Sequence, residues 1–275
     1  MKKNNLKPKK FFGQNFLSDF QLIEELIEEI NVQQIDHLLE IGPGKGAMTS
    51  LLLEKCESLT AIEIDKDLIR FLKKAYGDKK NFNLIEKDIL LYDPKELVRV
   101  NKLIGNIPYN ISTPIIEWII DNKSSFDEIF LMLQKEFGER CVAQPNTKSY
   151  GRLSIFVQCF FDVTVIREVD KSSFDPSPKV QSIFLKLIPK VSDMTPNSIL
   201  MKNLSTLTRE AFSKRRKLKL NDKISKFYKF LAGSFSAVSK RNFARKYAFA
   251  SIFQALQDLH PFAPLQSQNL PTLPL

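Results

Sequence analysis

The chain has 275 residues, with 41 Lys and Arg against 31 Asp and Glu for a formal charge of +10, and 43% of it is hydrophobic, with 22 Phe. This is the composition of a globular protein with room for one full-sized domain and a smaller second one, and it excludes a chain disordered throughout. No apolar run approaches the roughly 18 residues of a membrane helix, and the basic first ten residues lead into Phe11-Phe12-Gly13-Gln14 rather than a signal-peptide core, so a cytoplasmic protein with no membrane partner is expected. Cys56, Cys141 and Cys159 are odd in number and lack CxxC spacing. With His37 and His260 as the two histidines, neither a disulfide framework nor a metal site is expected.

Residues 20–30 place Leu22, Ile23, Leu26, Ile27 and Ile30 on one helical face and Glu24, Glu25, Glu28 and Glu29 on the other. Short apolar runs then alternate with helical patterns. His37–Ile41 precedes a helix from about Ala47, Leu59–Ile64 a helix from about Asp67, and Asn83–Glu86, Lys102–Gly105 and Glu128–Leu133 continue the series. Strands separated by helices read as right-handed βαβ units in an α/β, doubly wound, mostly parallel sheet. After Gly151, the β-branched and aromatic runs at 156–166 and 180–188, joined by a Pro-rich turn, predict a closing antiparallel pair. A boundary near 190–198 divides a domain at 1–195 from a small basic helical domain at 196–260. The last fifteen residues, 261–275, hold four prolines and no charge and predict a disordered tail.

The charge is uneven. Residues 201–247 carry 14 Lys and Arg against 2 Asp and Glu, leaving the other 228 residues slightly acidic. The densest stretch contains Lys214, Arg215, Arg216 and Lys217, and a second concentration is Lys2, Lys3, Lys7, Lys9 and Lys10. Two basic ends point to one polyanion, a nucleic acid held through counterion release, against the blander alternative of a solvated face with a basic tail.

Glu40-Ile41-Gly42-Pro43-Gly44-Lys45-Gly46 lies between the first strand of the sheet and its following helix. Glycines there let the backbone approach a ligand while the helix amides face it. A dinucleotide fingerprint would want Gly where Ala47 stands, and a P-loop would need Gly-Lys-Ser/Thr. Glu63, 21 residues after Gly42, stands where a carboxylate accepts both hydroxyls of a ribose. Asp88 is suited to receive the exocyclic amine of a cofactor adenine. The next strand runs into Asn106-Ile107-Pro108-Tyr109. An adenine amine is a poor nucleophile because its lone pair is delocalised into the ring. The Asn106 amide oxygen and the Pro108 carbonyl could accept its two hydrogens, and Tyr109 offers a face for an extruded base. A strand-to-helix turn capped by Ser112 or Thr113 would explain the proline without any chemistry.

These residues resemble the KsgA-type ribosomal RNA adenine dimethyltransferases, a branch of the class I S-adenosylmethionine-dependent methyltransferases with a Rossmann-like sheet. The matching segments are Phe12–Leu17, Glu40–Gly46, Glu63, Asp88, Asn106–Tyr109, Met132–Glu136, Gly151–Ser154 and Phe174–Val180. The resemblance runs from Lys9 to about Lys190, still touches Ala211–Leu218, and is not followed beyond Asn221. It implies that S-adenosylmethionine is the cofactor and that residues 1–19 close its site through Asn15 and Leu17. Gly42, with Gly44 in the same loop, would lie under the methionine moiety, Glu63 would hold the ribose, and Asp88 would hold the adenine. Asn106 would bridge cofactor and target amine, Tyr109 and Phe174 would sandwich the target base, and Lys179 would contact the RNA backbone. The implied substrate is a pair of adjacent adenosines in a hairpin loop near the 3′ end of small-subunit ribosomal RNA, each methylated twice at N6. A partly assembled small subunit is the expected partner, and a monomer is expected. Two alternatives stay open: a resistance-type methylase acting on large-subunit ribosomal RNA, and an idle RNA-binding assembly factor. A Rossmann dehydrogenase is disfavoured by Ala47.

Overall fold

In the computed structural model the described residues are 8–96, 100–145, 147–190, 205 and 208. Lys214, Arg215, Arg216 and Lys217, the helical domain expected at 196–260 and the tail expected at 261–275 therefore lie outside the described residues, apart from positions 205 and 208.

A short strand β1 (Phe16–Leu17) precedes helix α1 (Phe20–Ile30). Asp19 caps α1 by accepting the Leu22 N–H at 3.2 Å, and Asn31 ends it in a left-handed conformation at φ 51°. Ile23, Leu26, Ile27 and Ile30 are buried as the periodicity requires, each contributing about 1.5–3 kcal/mol of apolar burial. The glutamate face is not merely solvated, because Arg167 pairs with Glu25 and Glu29.

The α/β core follows as β2 (His37–Ile41), α2 (Thr49–Lys55), β3 (Ser58–Glu63), α3 (Lys66–Tyr76), β4 (Phe82–Glu86), β5 (Lys102–Asn106), α4 (Ser112–Asp121), β6 (Glu128–Gln134), α5 (Lys135–Val142), α6 (Arg152–Phe160), β7 (Phe161–Val169), β8 (Phe174–Asp175) and β9 (Ser182–Pro189). The main sheet has the order β4-β3-β2-β5-β6-β9-β7. Its first five strands are parallel, β9 runs antiparallel to β6, and β7 runs antiparallel to β9. The parallel strands are buried on both faces and read as continuous apolar runs: Leu39, Leu59, Ala61, Leu103, Ile129, Phe130 and Leu131 have no measurable exposure. Phe130 stacks on Phe184 with ring centroids 6.1 Å apart.

One sequence expectation is corrected. Residues 156–160 were expected to be strand, yet they complete α6, and β7 starts only at Phe161. Phe156, Val157 and Phe160 are all buried, a spacing that suits a helix face as well as a strand, so a short apolar run could not choose between them. The main-chain bond from Lys190 N–H to the Phe160 carbonyl, 2.8 Å, fixes the helix end against the last strand.

The chain divides into two compact units, residues 1–142 with 156–191 and residues 143–155 with 192–275. The second unit thus takes in a segment from mid-chain, 143–155, that the sequence expectation placed in the domain at 1–195. Within its described part the Ser154 hydroxyl accepts the Gly151 N–H at 3.1 Å, and Arg152 donates to the Ser205 hydroxyl at 2.7 Å.

Candidate active site

The chain runs β2, β3, β4 toward one edge of the sheet and then crosses to β5 and β6, so its direction reverses between β2 and β5. A crevice at the carboxyl ends of the strands opens at such a point. Register places the polar residues around it: Ile41 pairs with both Ile62 and Gly105, so Gly42, Glu63 and Asn106 each stand one residue past a paired position.

The glycine loop is pinned by the Gly42 N–H on the Ile62 carbonyl, 3.0 Å, and the Gly46 N–H on the Pro43 carbonyl, 2.9 Å. Gly42 and Gly44 have φ of 62° and 60°, which disfavours any residue with a Cβ. They differ in surroundings. A Cβ at Gly44 would sit 2.9 Å from the Phe16 ring, whereas one at Gly42 would meet nothing within 4 Å, so the loop opens onto free space at Gly42.

Glu63 is buried and accepts the N–H groups of Ile64 at 2.8 Å and Asp65 at 2.9 Å through one oxygen. Burial pushes its carboxyl up, with the amides of Asp65, Ile64 and Gly44 opposing that rise. Glu40, at the end of β2, is more deeply enclosed. Its one hydrogen bond among the described residues comes from the Thr49 hydroxyl at 2.7 Å, and burial raises it from 4.5 to about 7, with the Glu63 charge adding to the rise. Neither carboxyl has a cation partner among the described residues. Asp88 lies two residues past β4, half-buried, with its oxygen on the Leu90 N–H at 3.0 Å.

Asn106 donates its side-chain amide to the Asn15 carbonyl at 3.1 Å. Because that carbonyl can only accept, the Asn106 Oδ1 is turned the other way, and no partner engages it among the described residues. The Pro108 carbonyl accepts the Ile111 N–H at 3.1 Å and keeps a second lone pair. Tyr109 is half-buried, and its hydroxyl shares a 2.7 Å bond with Ser182, itself fully buried. Burial raises the phenol above its ordinary 10, against the Ser182 bond, so the ring stays neutral.

Asn15 and Leu17 belong to the N-terminal segment that folds over this end of the sheet. Phe16 and Leu17 pair antiparallel with Asp175 and Phe174, and the Ser18 N–H meets the Ser173 carbonyl at 2.9 Å. Phe174 is thereby brought beside β1, but at 4% exposure it packs in the apolar core with Leu17, the packing role that one aromatic after a turn suggests by itself. Lys179 is exposed in the loop before β9. Sequence reasoning missed the residues that hold this segment down. Lys9 reaches Asp65 at 2.5 Å and Asp67 at 2.6 Å, and the Gln14 side chain donates to Asp65 at 2.9 Å. Burial pushes Asp65 up, but Lys9, Gln14 and the Asp67 N–H together hold it below the usual carboxylate range. An acid two residues after Glu63 at a helix start reads as a plain cap, so local sequence gave no cue to its long-range partners.

A mostly parallel sheet closed by an antiparallel pair, with a glycine loop and strand-end carboxylates at its reversal, has the form of a class I methyltransferase, and the residues present fit S-adenosylmethionine. Space is open over Gly42, and two buried carboxyls without cations create a negative environment for a ligand carrying a sulfonium and an ammonium group. A model of the ribosomal RNA adenine dimethylase family matches residues 5–256, and the chain belongs to that family of enzymes, with S-adenosylmethionine as cofactor and ribosomal RNA as substrate. The match extends past Asn221, where the motif resemblance stops. Similar proteins include a ribosomal RNA small subunit methyltransferase A from Picosynechococcus sp., 40% identical over 230 residues and covering 79% of this chain and 83% of that one. Its counterpart from Borrelia garinii is 36% identical, covering 90% and 84%. A solved dimethyladenosine transferase from Plasmodium falciparum superposes with a TM-score of 0.68 at 31% identity, covering 89% and 90%. The 23S rRNA methyltransferase ErmE reaches 0.58 at 26% identity, covering 70% and 76%. No helix among the described residues is long and apolar enough to cross a membrane.

Proposed function

We propose that this enzyme dimethylates N6 of two adjacent adenosines in a hairpin loop near the 3′ end of small-subunit ribosomal RNA, acting as a monomer on a partly assembled small subunit. The observation that carries the chemistry is the orientation of Asn106: with its NH2 on the Asn15 carbonyl, its Oδ1 is the acceptor left for a substrate amine. The names of relatives at about 40% identity, against 26% for the large-subunit enzyme, favour the small subunit.

The cofactor supplies, when bound, an electrophilic methyl group on a positively charged sulfur. Glu63 holds the ribose and Asp88 the adenine, while Gly42 and Gly44 give the methionine moiety close access to backbone, and Asn15 and Leu17 cover it. The target base leaves its stack and lies on Tyr109, whose hydroxyl is fixed by Ser182. Asn106 Oδ1 and the Pro108 carbonyl accept the two amine hydrogens, which turns the nitrogen lone pair toward the methyl in a preorganised polar setting. Each transfer leaves the nitrogen with a surplus proton, which is lost to water, so after one transfer the amine keeps one hydrogen and engages one acceptor. After two it engages none, and the product loses its hold. Lys179, together with Lys214, Arg215, Arg216 and Lys217 in the basic segment assigned to 196–260, neutralises RNA phosphates.

The test is transfer of labelled methyl to small subunits lacking the modification, followed by nucleoside analysis and mapping by primer extension. Dimethylated adenosines in small-subunit RNA are expected. Label in large-subunit RNA instead, or cofactor binding without transfer, would overturn the assignment.

A further inference from the structure

Phe11 is 86% exposed, the most exposed large apolar side chain among the described residues. A single exposed apolar residue is ordinary on a protein surface and by itself says nothing. What singles out Phe11 is where it stands and how firmly. It lies in a single helical turn, Lys10–Phe12, closed by the Phe12 N–H on the Lys9 carbonyl at 3.1 Å. On one side the turn is bolted to the cofactor end of the sheet by Lys9 on Asp65 and Asp67, by the Lys9 N–H on the Gln14 side chain at 2.8 Å, and by Gln14 on Asp65. On the other side Gly13 abuts the catalytic turn so closely that a Cβ there would lie 2.9 Å from Asn110 Oδ1 and 3.7 Å from Pro108 Cβ. Phe12 supports the neighbouring ring edge-on, with centroids 5.2 Å apart. An aromatic face is thus held in solvent, on a fixed turn, next to the residues that receive the target base. The first ten residues of the sequence hold five lysines.

Unpaired bases in RNA loops are gripped by stacking on exposed aromatic rings beside basic segments, and the π-face is what matters, since every base has one. We propose that Phe11 is a stacking platform for the base of an unpaired nucleotide flanking the target adenosine, so that the loop is held at two points, one base on Tyr109 and a neighbour on Phe11. The proposal rests on the reading of the Asn106–Tyr109 turn as the receiver of an RNA adenine.

The test uses the full chain and an RNA hairpin with two adjacent loop adenosines and 2-aminopurine placed at each flanking loop position in turn. Binding is read by anisotropy and stacking by quenching of 2-aminopurine fluorescence. Phe11→Ala should weaken binding about tenfold and abolish the quenching at one flanking position. Phe11→Leu should behave like Phe11→Ala, because it keeps apolar area but no ring, and Phe11→Trp should restore both signals. The affinity for S-adenosylmethionine should be the same in all, which shows that the fold and the cofactor site are intact. Wild-type binding and quenching in Phe11→Ala or Phe11→Leu, or a wild-type protein that shows no quenching at any flanking position, would overturn the platform. Methyl transfer to small subunits lacking the modification, run beside the hairpin measurements, separates the two readings. Dimethylation by the wild type with an unaffected Phe11→Ala removes the platform alone, whereas ring-dependent quenching without any methylation leaves the platform and removes the catalytic assignment.

Discussion

The two ends of the parallel sheet are both polar and both buried, but they are finished differently. At the amino ends of the strands Lys102 pairs with Asp36 at 2.8 Å and Glu128 at 3.3 Å and donates to the Asn31 carbonyl at 3.0 Å. Asp36 also accepts from the Gln33 N–H at 2.8 Å and the Asn101 amide at 2.6 Å, while Asn101 Oδ1 takes the His37 N–H at 2.7 Å. Lys186 also pairs with Glu128, so two cations balance the two carboxylates there, and the acceptors are filled. At the carboxyl ends, among the described residues, Glu40 and Glu63 have no cation and Asn106 Oδ1 has no partner, and Gly42 faces open space. A closed polar network fixes strand register, whereas an incomplete one at the opposite end marks where a ligand completes it.

The strongest way to break this contrast is to open the closed end. Lys102→Met leaves Asp36 buried without its cation and should cost about 3–5 kcal/mol in urea unfolding, with unchanged S-adenosylmethionine affinity in the folded fraction. Reduced cofactor affinity at full folding would mean that the two ends are not separate. At the open end Asn106→Ala should lower single-turnover methyl transfer about 100- to 1,000-fold at a cost of only about 1 kcal/mol in stability, since the fold loses one hydrogen bond, to the Asn15 carbonyl, while the substrate loses its oxygen acceptor.

Glu40 sharpens the comparison through pH. Its folded pKa of about 7 lies above its ordinary 4.5, so the folded state binds the extra proton. Its stabilising effect is fully present below about pH 4.5 and is lost as pH rises to about 7, on the order of 3 kcal/mol at about 1.36 kcal/mol per pH unit. Urea unfolding of the cofactor-free protein at several pH values should show Glu40→Gln gaining stability over the parent across that window. Saturating S-adenosylmethionine, whose positive charges favour the carboxylate, should shrink the difference. A pH-independent gap between the two proteins would show that Glu40 titrates normally. The smallest effect is expected at Tyr109→Phe, which leaves the buried Ser182 hydroxyl unpaired at about 1 kcal/mol of stability but keeps the ring, so methyl transfer should change by no more than a few-fold. Tyr109→Ala should lose at least tenfold more, and equal rates for the two variants would remove stacking from the mechanism.

The sequence by itself determined the alternation of strands and helices and the position of the glycine loop, Glu63, Asp88 and the Asn106–Tyr109 turn at or just past the ends of strands. Each depends on local chemistry: a period of apolar residues, a φ available to glycine, a residue type at a strand end. It misread residues 156–160 because Phe156, Val157 and Phe160 satisfy a helix as well as a strand, and the choice was made by what packs around them. It could not find the brace of Lys9, Gln14 and Asp65 or the Ser182 support of Tyr109, because each joins positions far apart in the chain. The tertiary structure alone decided those, by bringing residues 8–20 across the carboxyl ends of the strands, where burial sets the protonation of Glu40 and one carbonyl, that of Asn15, sets the direction in which Asn106 faces.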